Sequence, residues 1–282
     1  MLVNPLAELP LAIFSTLMPL SVGSFVAIAV VVFSDTLDDK LSKVIRRSIS
    51  VPLVLLGIGF IAAFFHLSTP LNAVYVLSGI GRSPLASEIA AVSLYTVLAV
   101  AYFVVEMVKM KCVAFRKCLL VAVLASGLVA SVFTGAAYYV ETIAGWASVW
   151  PAVEQMGYLL MGTLIGLYAL KVFGEGNSTK LESIVCIFAV CGLCIAVFAG
   201  GAHLFQVANM TCYTMSGSEL SSQSALYALT ALVVGSIGVL CAIIARVRTM
   251  EKTLYLVSSA FVLLSVFLAR LSFYCLQLGV GL

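Results

Sequence analysis

The sequence LPLAIFSTLMPLSVGSFVAIAVVVF, at Leu9 to Phe33, contains no charged residue. An α-helix needs roughly 20 apolar residues to cross the hydrocarbon core of a bilayer, which is about 30 Å thick. Lipid offers no partner for backbone N–H and C=O groups, so such a segment crosses as a helix. Seven further uncharged segments follow: Ser48 to Phe65, Ile89 to Val105, Cys118 to Val140, Gln155 to Leu170, Ser183 to Ala202, Leu220 to Ala245 and Thr253 to Ala269. The sequence therefore predicts an all-α integral membrane protein with eight transmembrane helices.

The composition agrees with a protein that lies almost entirely in the membrane. Of its 282 residues 63% are hydrophobic and 10% are charged, and the mean hydropathy is +1.18. We expect a single polytopic domain over residues 1–282. His66-Leu67 and His203-Leu204 end the second and sixth predicted helices, which suggests two related four-helix halves, residues 1–140 and 145–282.

The basic residues predict the orientation of the helices. All Lys and Arg residues except Arg82 and Arg270 lie in the first, third, fifth and seventh loops. Short loops rich in Lys and Arg stay on the cytoplasmic side of the membrane. Both termini and the even loops should therefore lie outside. This loop bias also explains the net charge of +3, so the charge does not indicate a nucleic-acid partner.

Ionisable side chains at membrane depth are rare and usually functional, because each costs about 2.5 to 3.5 kcal/mol to insert. His66, Glu88, His203 and Arg270 all fall near the outer ends of predicted helices. Arg82 lies just before the third helix, and we include it among these candidate functional residues. In the cytoplasmic half we expect no comparable set, because Glu106, Glu154 and Glu182 sit at helix ends.

A His and a carboxylate beside an Arg, in an apolar pocket that opens to one aqueous phase, suit the oxidation of a lipid-soluble quinol. An imidazole titrates near neutral pH, so His66 can accept a proton from the quinol hydroxyl. Glu88 can pass that proton to water, and Arg270 can stabilise the negative charge that develops on the ring oxygen. Arg82 and His203 are further candidate quinol-binding residues. We expect no metal site in this protein.

The sequence resembles the membrane-anchor subunit family of anaerobic dimethyl sulfoxide reductase. The similarity is clearest in GIGFIA at Gly57 to Ala62 with His66-Leu67 and Pro70, and in SEIA at Ser87 to Ala90. Trp146 and Trp150, and Arg270 followed by Phe273-Tyr274, also match. The length, the eight helices and the outward termini fit the family as well.

The resemblance implies a specific role in anaerobic respiration. Subunits of this family oxidise menaquinol and pass electrons to an iron–sulfur subunit and then to a molybdopterin catalytic subunit. The quinol-site His of the family falls on His66, and the acidic residue of the same site falls on Glu88. The protein would then lie in the inner (cytoplasmic) membrane of a bacterium, take menaquinol from the quinol pool, and bind no haem.

Two other functions remain open from the sequence, besides an anchor without any quinol site. In a b-type cytochrome anchor, His66 and His203 on different helices would be the axial haem ligands. In a small-solute transporter, polar groups and broken helices usually lie near the midplane of the membrane, whereas here they lie near one edge. Gly162 and Gly166 form a G-x-x-x-G that would permit close helix packing in any of these proteins.

Overall fold

The computed structural model describes residues 5–34, 39–66, 73–174, 179–211, 216–247 and 251–277. In these residues, eight helical spans are long and apolar enough to cross a membrane. The prediction of an all-α protein with eight transmembrane helices is confirmed.

The helices are longer than the uncharged segments, because several begin or end in polar residues. The second span combines α2 and α3, and the fifth combines α7 and α8. A short α4 precedes α5. The bounds are α1 Leu9–Ser34, α2 Asp39–Ser48, α3 Ser50–His66, α4 Ala73–Val76, α5 Pro84–Met107, α6 Val113–Ala136, α7 Trp150–Met161, α8 Thr163–Phe173, α9 Thr179–Ala208, α10 Gly217–Ala245 and α11 Glu251–Tyr274.

The start of α5 shows how local sequence fixes a helix end. The Ser83 hydroxyl accepts a hydrogen bond from the backbone N–H of Ala86 at 3.4 Å. Pro84 occupies the first helical position, where its missing N–H has no intrahelical acceptor to lose. Glu88 is thereby carried one turn into the helix and is buried there.

Helix α1 lies at the centre of the molecule. It packs against α3, α6, α7, α8 and α11, and 83% of its apolar window is buried, against 28% for the second span. The G-x-x-x-G of the fifth span provides the close approach to α1. A Cβ atom added at Gly162 would lie 2.7 Å from Cα of Leu20, and one added at Gly166 would lie 2.5 Å from the backbone oxygen of Ser24. The predicted close packing at these glycines is confirmed.

Successive spans run in opposite directions, so side chains from distant segments meet at two ends of the bundle. We call the end that carries the Lys- and Arg-rich loops the basic end, and the other the Arg270 end. The Arg270 end contains the last turns of α3, α6, α9 and α11 and the first turns of α1, α5, α7 and α10.

The basic end contains buried ion pairs, contrary to the expectation from sequence. Arg116 donates two hydrogen bonds of 2.7 Å to the carboxylate of Glu106. Lys171 forms salt bridges with both Glu182 and Glu251. The expectation that this half holds no comparable set of ionisable groups is therefore wrong. Each of these charges has an opposite charge beside it, as buried charges require, which accounts for them as structural contacts.

Candidate functional site

At the Arg270 end of the bundle, the cation of Arg270 lies at the centre of a cluster of side chains. Arg270 lies near the end of α11 and its side chain is completely buried. Its Nε donates a hydrogen bond of 2.8 Å to the hydroxyl of Ser15 on α1. Its two terminal nitrogens have no hydrogen-bond partner among the described residues. The guanidinium thus keeps unused donors in a site closed to bulk water.

Aromatic rings surround this cation. The guanidinium carbon lies 4.3 Å from the ring centre of Phe273 and 5.3 Å from those of Tyr138 and Tyr274. Contacts of this kind stabilise a cation by about 0.5 to 2 kcal/mol each. Trp146 stacks on Phe273, with ring centres 5.5 Å apart and planes at 19°. The rings therefore offset part of the cost of burying Arg270.

Two of these rings, those of Tyr138 and Tyr274, are also linked through their hydroxyl groups. The hydroxyl oxygen of Tyr138 lies 2.5 Å from that of Tyr274, so one phenol donates to the other. Burial raises the pKa of the Tyr138 phenol well above its ordinary value of 10.0. Tyr138 therefore stays protonated and keeps its capacity to donate.

Glu88 approaches Arg270 from α5. Its side chain is buried, with 6% of its surface exposed, and its carboxyl interacts with the hydroxyl of Thr134 on α6 and with the charge of Arg270. Its Oε1 has no hydrogen-bond partner among the described residues. The structure thus brings together two residues that the sequence predicted to share one depth.

Glu154 is a second carboxyl at this site, which sequence reasoning assigned to the wrong half. It lies inside α7, is also 6% exposed, accepts a hydrogen bond of 3.2 Å from Tyr158, and interacts with the charge of Arg270. The prediction treated it as a helix-end residue because the uncharged segment begins at Gln155. The signal that could have found it is Trp150-Pro151, since Pro favours the first turn of a helix.

His203 lies on the same side of the site as Glu154. It is buried near the end of α9, and its Nε2 lies 2.9 Å from the backbone oxygen of Gly145. Its ring centre is 5.9 Å from that of Phe273. The carbonyl of Gly145 therefore fixes the orientation of the imidazole ring.

A cavity of about 260 Å³ adjoins these residues. It lies between α7, α9, α10 and α11, and its wall is mainly apolar. Glu154, His203, Ser265 and Ser272 contribute polar side chains to the wall.

The other two predicted site residues are His66 and Arg82. Helix α3 ends at His66, at the same end of the bundle as Glu88, but the side chain of His66 lies outside the described residues, as do residues 67–72. Arg82 is exposed in the turn before α5. The roles of His66 and Arg82 in quinol binding stay predictions.

The similarity to a known protein family extends over nearly the whole sequence. Residues 2–276 match the family model of the DMSO reductase anchor subunit (DmsC). The chain belongs to this family. It is thus a multi-pass membrane protein of the anchor type, as the resemblance implied.

Individual members of the family are distant relatives. The protein is 25% identical over 232 residues to the C subunit of the anaerobic dimethyl sulfoxide reductase of Haemophilus influenzae, an alignment that covers 82% of each protein. It is 26% identical over 206 residues to the C subunit of the Escherichia coli enzyme, covering 71% of each. It is 25% identical over 201 residues to the anaerobic dimethyl sulfoxide reductase subunit YnfH of Escherichia coli, covering 71% of this protein and 70% of the relative.

Proposed function

We propose that this anchor subunit oxidises menaquinol at the Arg270 end and passes the electrons to an iron–sulfur subunit, which supplies a molybdopterin catalytic subunit. The complex would lie in the inner membrane of a bacterium. The observation that carries the proposal is the buried carboxyl of Glu88, which has one unused oxygen and interacts with the incompletely hydrogen-bonded cation of Arg270.

Oxidation of a quinol releases two electrons and two protons and leaves a quinone. The protons need acceptors inside the membrane, and a carboxylate within hydrogen-bond reach of the ring hydroxyl can take one. Glu88 is suited to relay these protons because one of its oxygens is not used by another described residue. The positive charge of Arg270 stabilises the oxyanion that forms as the first proton leaves.

His66 would complete the site from α3. Helix α3 packs against α5, and the last residue of α3 and the first turn of α5 lie at the same end. We propose that His66 accepts a hydrogen bond from the quinol hydroxyl and receives its proton, while Glu88 transfers protons onward to water. The ring of menaquinol would then bind close to both residues.

The test is the quinol oxidase activity of the assembled complex in membranes. Glu88→Gln keeps the shape and removes the proton acceptor, so we expect at least a tenfold loss of menaquinol oxidation. Glu141→Gln is the control, because Glu141 is exposed at the same end. A reduced dye that feeds electrons directly to the catalytic subunit should give equal rates in all variants. Wild-type menaquinol oxidation in both Glu88→Gln and His66→Ala would contradict the proposal.

The partner would dock on the Arg270 end, because electrons must leave close to where the quinol is oxidised. With the orientation predicted from the basic loops, the iron–sulfur subunit would lie outside. Protease added to intact spheroplasts should digest that subunit. Digestion only after the membrane is opened would contradict this docking face.

The haem alternative is less favoured by the structure. The Nε2 atom of His203 is directed at the backbone oxygen of Gly145, and its ring packs beside Phe273. An axial ligand needs a ring nitrogen directed at iron. A Soret band that follows the purified subunit would reverse this preference.

A further inference from the structure

The cavity beside Glu154 opens toward the lipid. Val197 of α9 and Leu229 of α10 both line it and have 40% and 61% of their surfaces exposed. In a membrane protein such apolar surface faces acyl chains. A molecule dissolved in the bilayer can therefore reach the cavity by passing between α9 and α10.

The polar groups that the cavity can offer to such a molecule are few. The hydroxyl of Ser265 donates to the backbone oxygen of Ala231 at 2.7 Å, and that of Ser272 pairs with Ser224 at 2.7 Å. The carboxyl of Glu154, the phenol of Tyr158 and the imidazole of His203 remain as the groups with further hydrogen-bonding capacity. All three side chains are more than nine-tenths buried and all three line the cavity. An occupant would thus be mostly apolar, with hydrogen-bonding groups at one edge.

Size and charge select among the lipids that fit this description. An apolar cavity of about 150 Å³ holds a benzene molecule, so about 260 Å³ accommodates a substituted or fused aromatic ring. A phosphate head group would lose its hydration in this mainly apolar cavity, whose lining, among the described residues, includes no Lys or Arg to pair with it. A neutral ring with hydroxyl or carbonyl oxygens meets both conditions.

We propose that this cavity is a second binding site for the ring of a quinone-class lipid, separate from the site at Glu88. The inference rests on the proposed function, since a subunit that uses the quinol pool is exposed to such lipids. Glu88 interacts with α6 through Thr134, whereas α7, α9, α10 and α11 form the cavity. Neither Glu88 nor Arg270 lines the cavity, although Arg270 interacts with both Glu88 and Glu154.

Gly201 allows the cavity to be filled without disturbing the helices. It lines the cavity, and a Cβ atom added there would meet no described atom within 4 Å. Gly201→Leu should therefore block the cavity while α9 keeps its place. Gly57→Leu is a matched control, because Gly57 has equally open surroundings and lies on α3, away from the cavity.

The experiment uses membranes that contain the whole complex and a naphthoquinone with a photoreactive azide. Peptides labelled after illumination are identified by mass spectrometry. In the wild type we expect label on α9 or α10 that an excess of an unreactive short-chain naphthoquinone removes. Gly201→Leu should lower this label at least tenfold, and Gly57→Leu should leave it unchanged.

The second site would be overturned by the absence of competable label on α9 or α10 in the wild type, or by equal label in Gly201→Leu. The variant Glu88→Gln distinguishes this failure from that of the proposed function. We expect it to lose menaquinol oxidation and to keep the label on α9 or α10. Loss of that label together with the activity would mean that a single site serves both, and the second site would be rejected.

Discussion

Nε of Arg270 and the hydroxyl of Ser15 are 2.8 Å apart, although one residue belongs to the last helix and the other to the first. The bond fixes the guanidinium against α1. It leaves the two terminal nitrogens without a hydrogen bond to any described residue, while the charge still interacts with both carboxyls. The position of the cation relative to Glu88 and Glu154 therefore depends on Ser15.

Replacing Ser15 should weaken both stability and quinol oxidation. Ser15→Ala removes the acceptor of a hydrogen bond from a buried cation, and such bonds contribute about 1.5 to 3 kcal/mol. We expect a lower midpoint of thermal denaturation for the purified complex and a lower kcat for menaquinol. Ser24→Ala is the control, because the Ser24 hydroxyl bonds mainly to Leu20 of its own helix at 2.8 Å. Equal effects of the two changes would show that Ser15 has no special relation to Arg270.

We expect Lys171 to contribute to the stability of the protein and not to the binding of menaquinol. It is buried between Glu182 and Glu251, and removing one partner of a buried ion pair costs about 3 to 5 kcal/mol. Lys171→Met should therefore lower the denaturation midpoint by much more than Lys180→Met, since Lys180 is exposed. The KM for menaquinol should be unchanged in any complex that assembles. A specific rise in KM would indicate that the basic end takes part in quinol binding.

Gly23 should be essential to the contact between α1 and the fifth span. A Cβ atom at Gly23 would lie 1.9 Å from the backbone oxygen of Leu159, so the two helices would have to separate. Overpacking of this kind typically costs about 1 to 3 kcal/mol. Gly23→Ala should lower the denaturation midpoint, while Gly57→Ala should leave it equal or raise it, because Ala favours the helix. Unchanged stability in Gly23→Ala would argue against this helix contact.

Cysteine labelling can test the predicted orientation directly. Cys112 is exposed in the loop between α5 and α6, at the basic end, and Glu141 is exposed at the opposite end. A membrane-impermeant maleimide added to spheroplasts should modify Glu141→Cys in a background in which Cys112 and Cys212, a cysteine of the predicted outer loops, are both replaced by Ser; the native Cys112 is tested in a Cys212→Ser background. The maleimide should reach the native Cys112 only after the membrane is disrupted. The reverse pattern would place both termini in the cytoplasm.

The spans were predictable from the sequence because lipid penalises each charge and each unpaired backbone group. Glu88 and Arg270 were predictable for the same reason, since each directly flanks an apolar segment at the Arg270 end. Glu154 flanks an apolar segment in the same way but was assigned to the wrong half, and its burial inside α7 follows from the start of that helix at Trp150. The cavity was also not predictable, since it arises from how α7, α9, α10 and α11 pack and no local pattern specifies it.

The place of Arg270 in the last helix also affects how the protein is made. Ribosomes deliver α1, α5 and α7 to the membrane before α11, so Glu88 and Glu154 enter hydrocarbon while their cation is still to come. A polypeptide that is truncated before α11 retains these acids without a counter-charge, and it should be recognised by quality-control proteases. Synthesis of the final helix would thus act as a checkpoint for the biogenesis of the whole subunit.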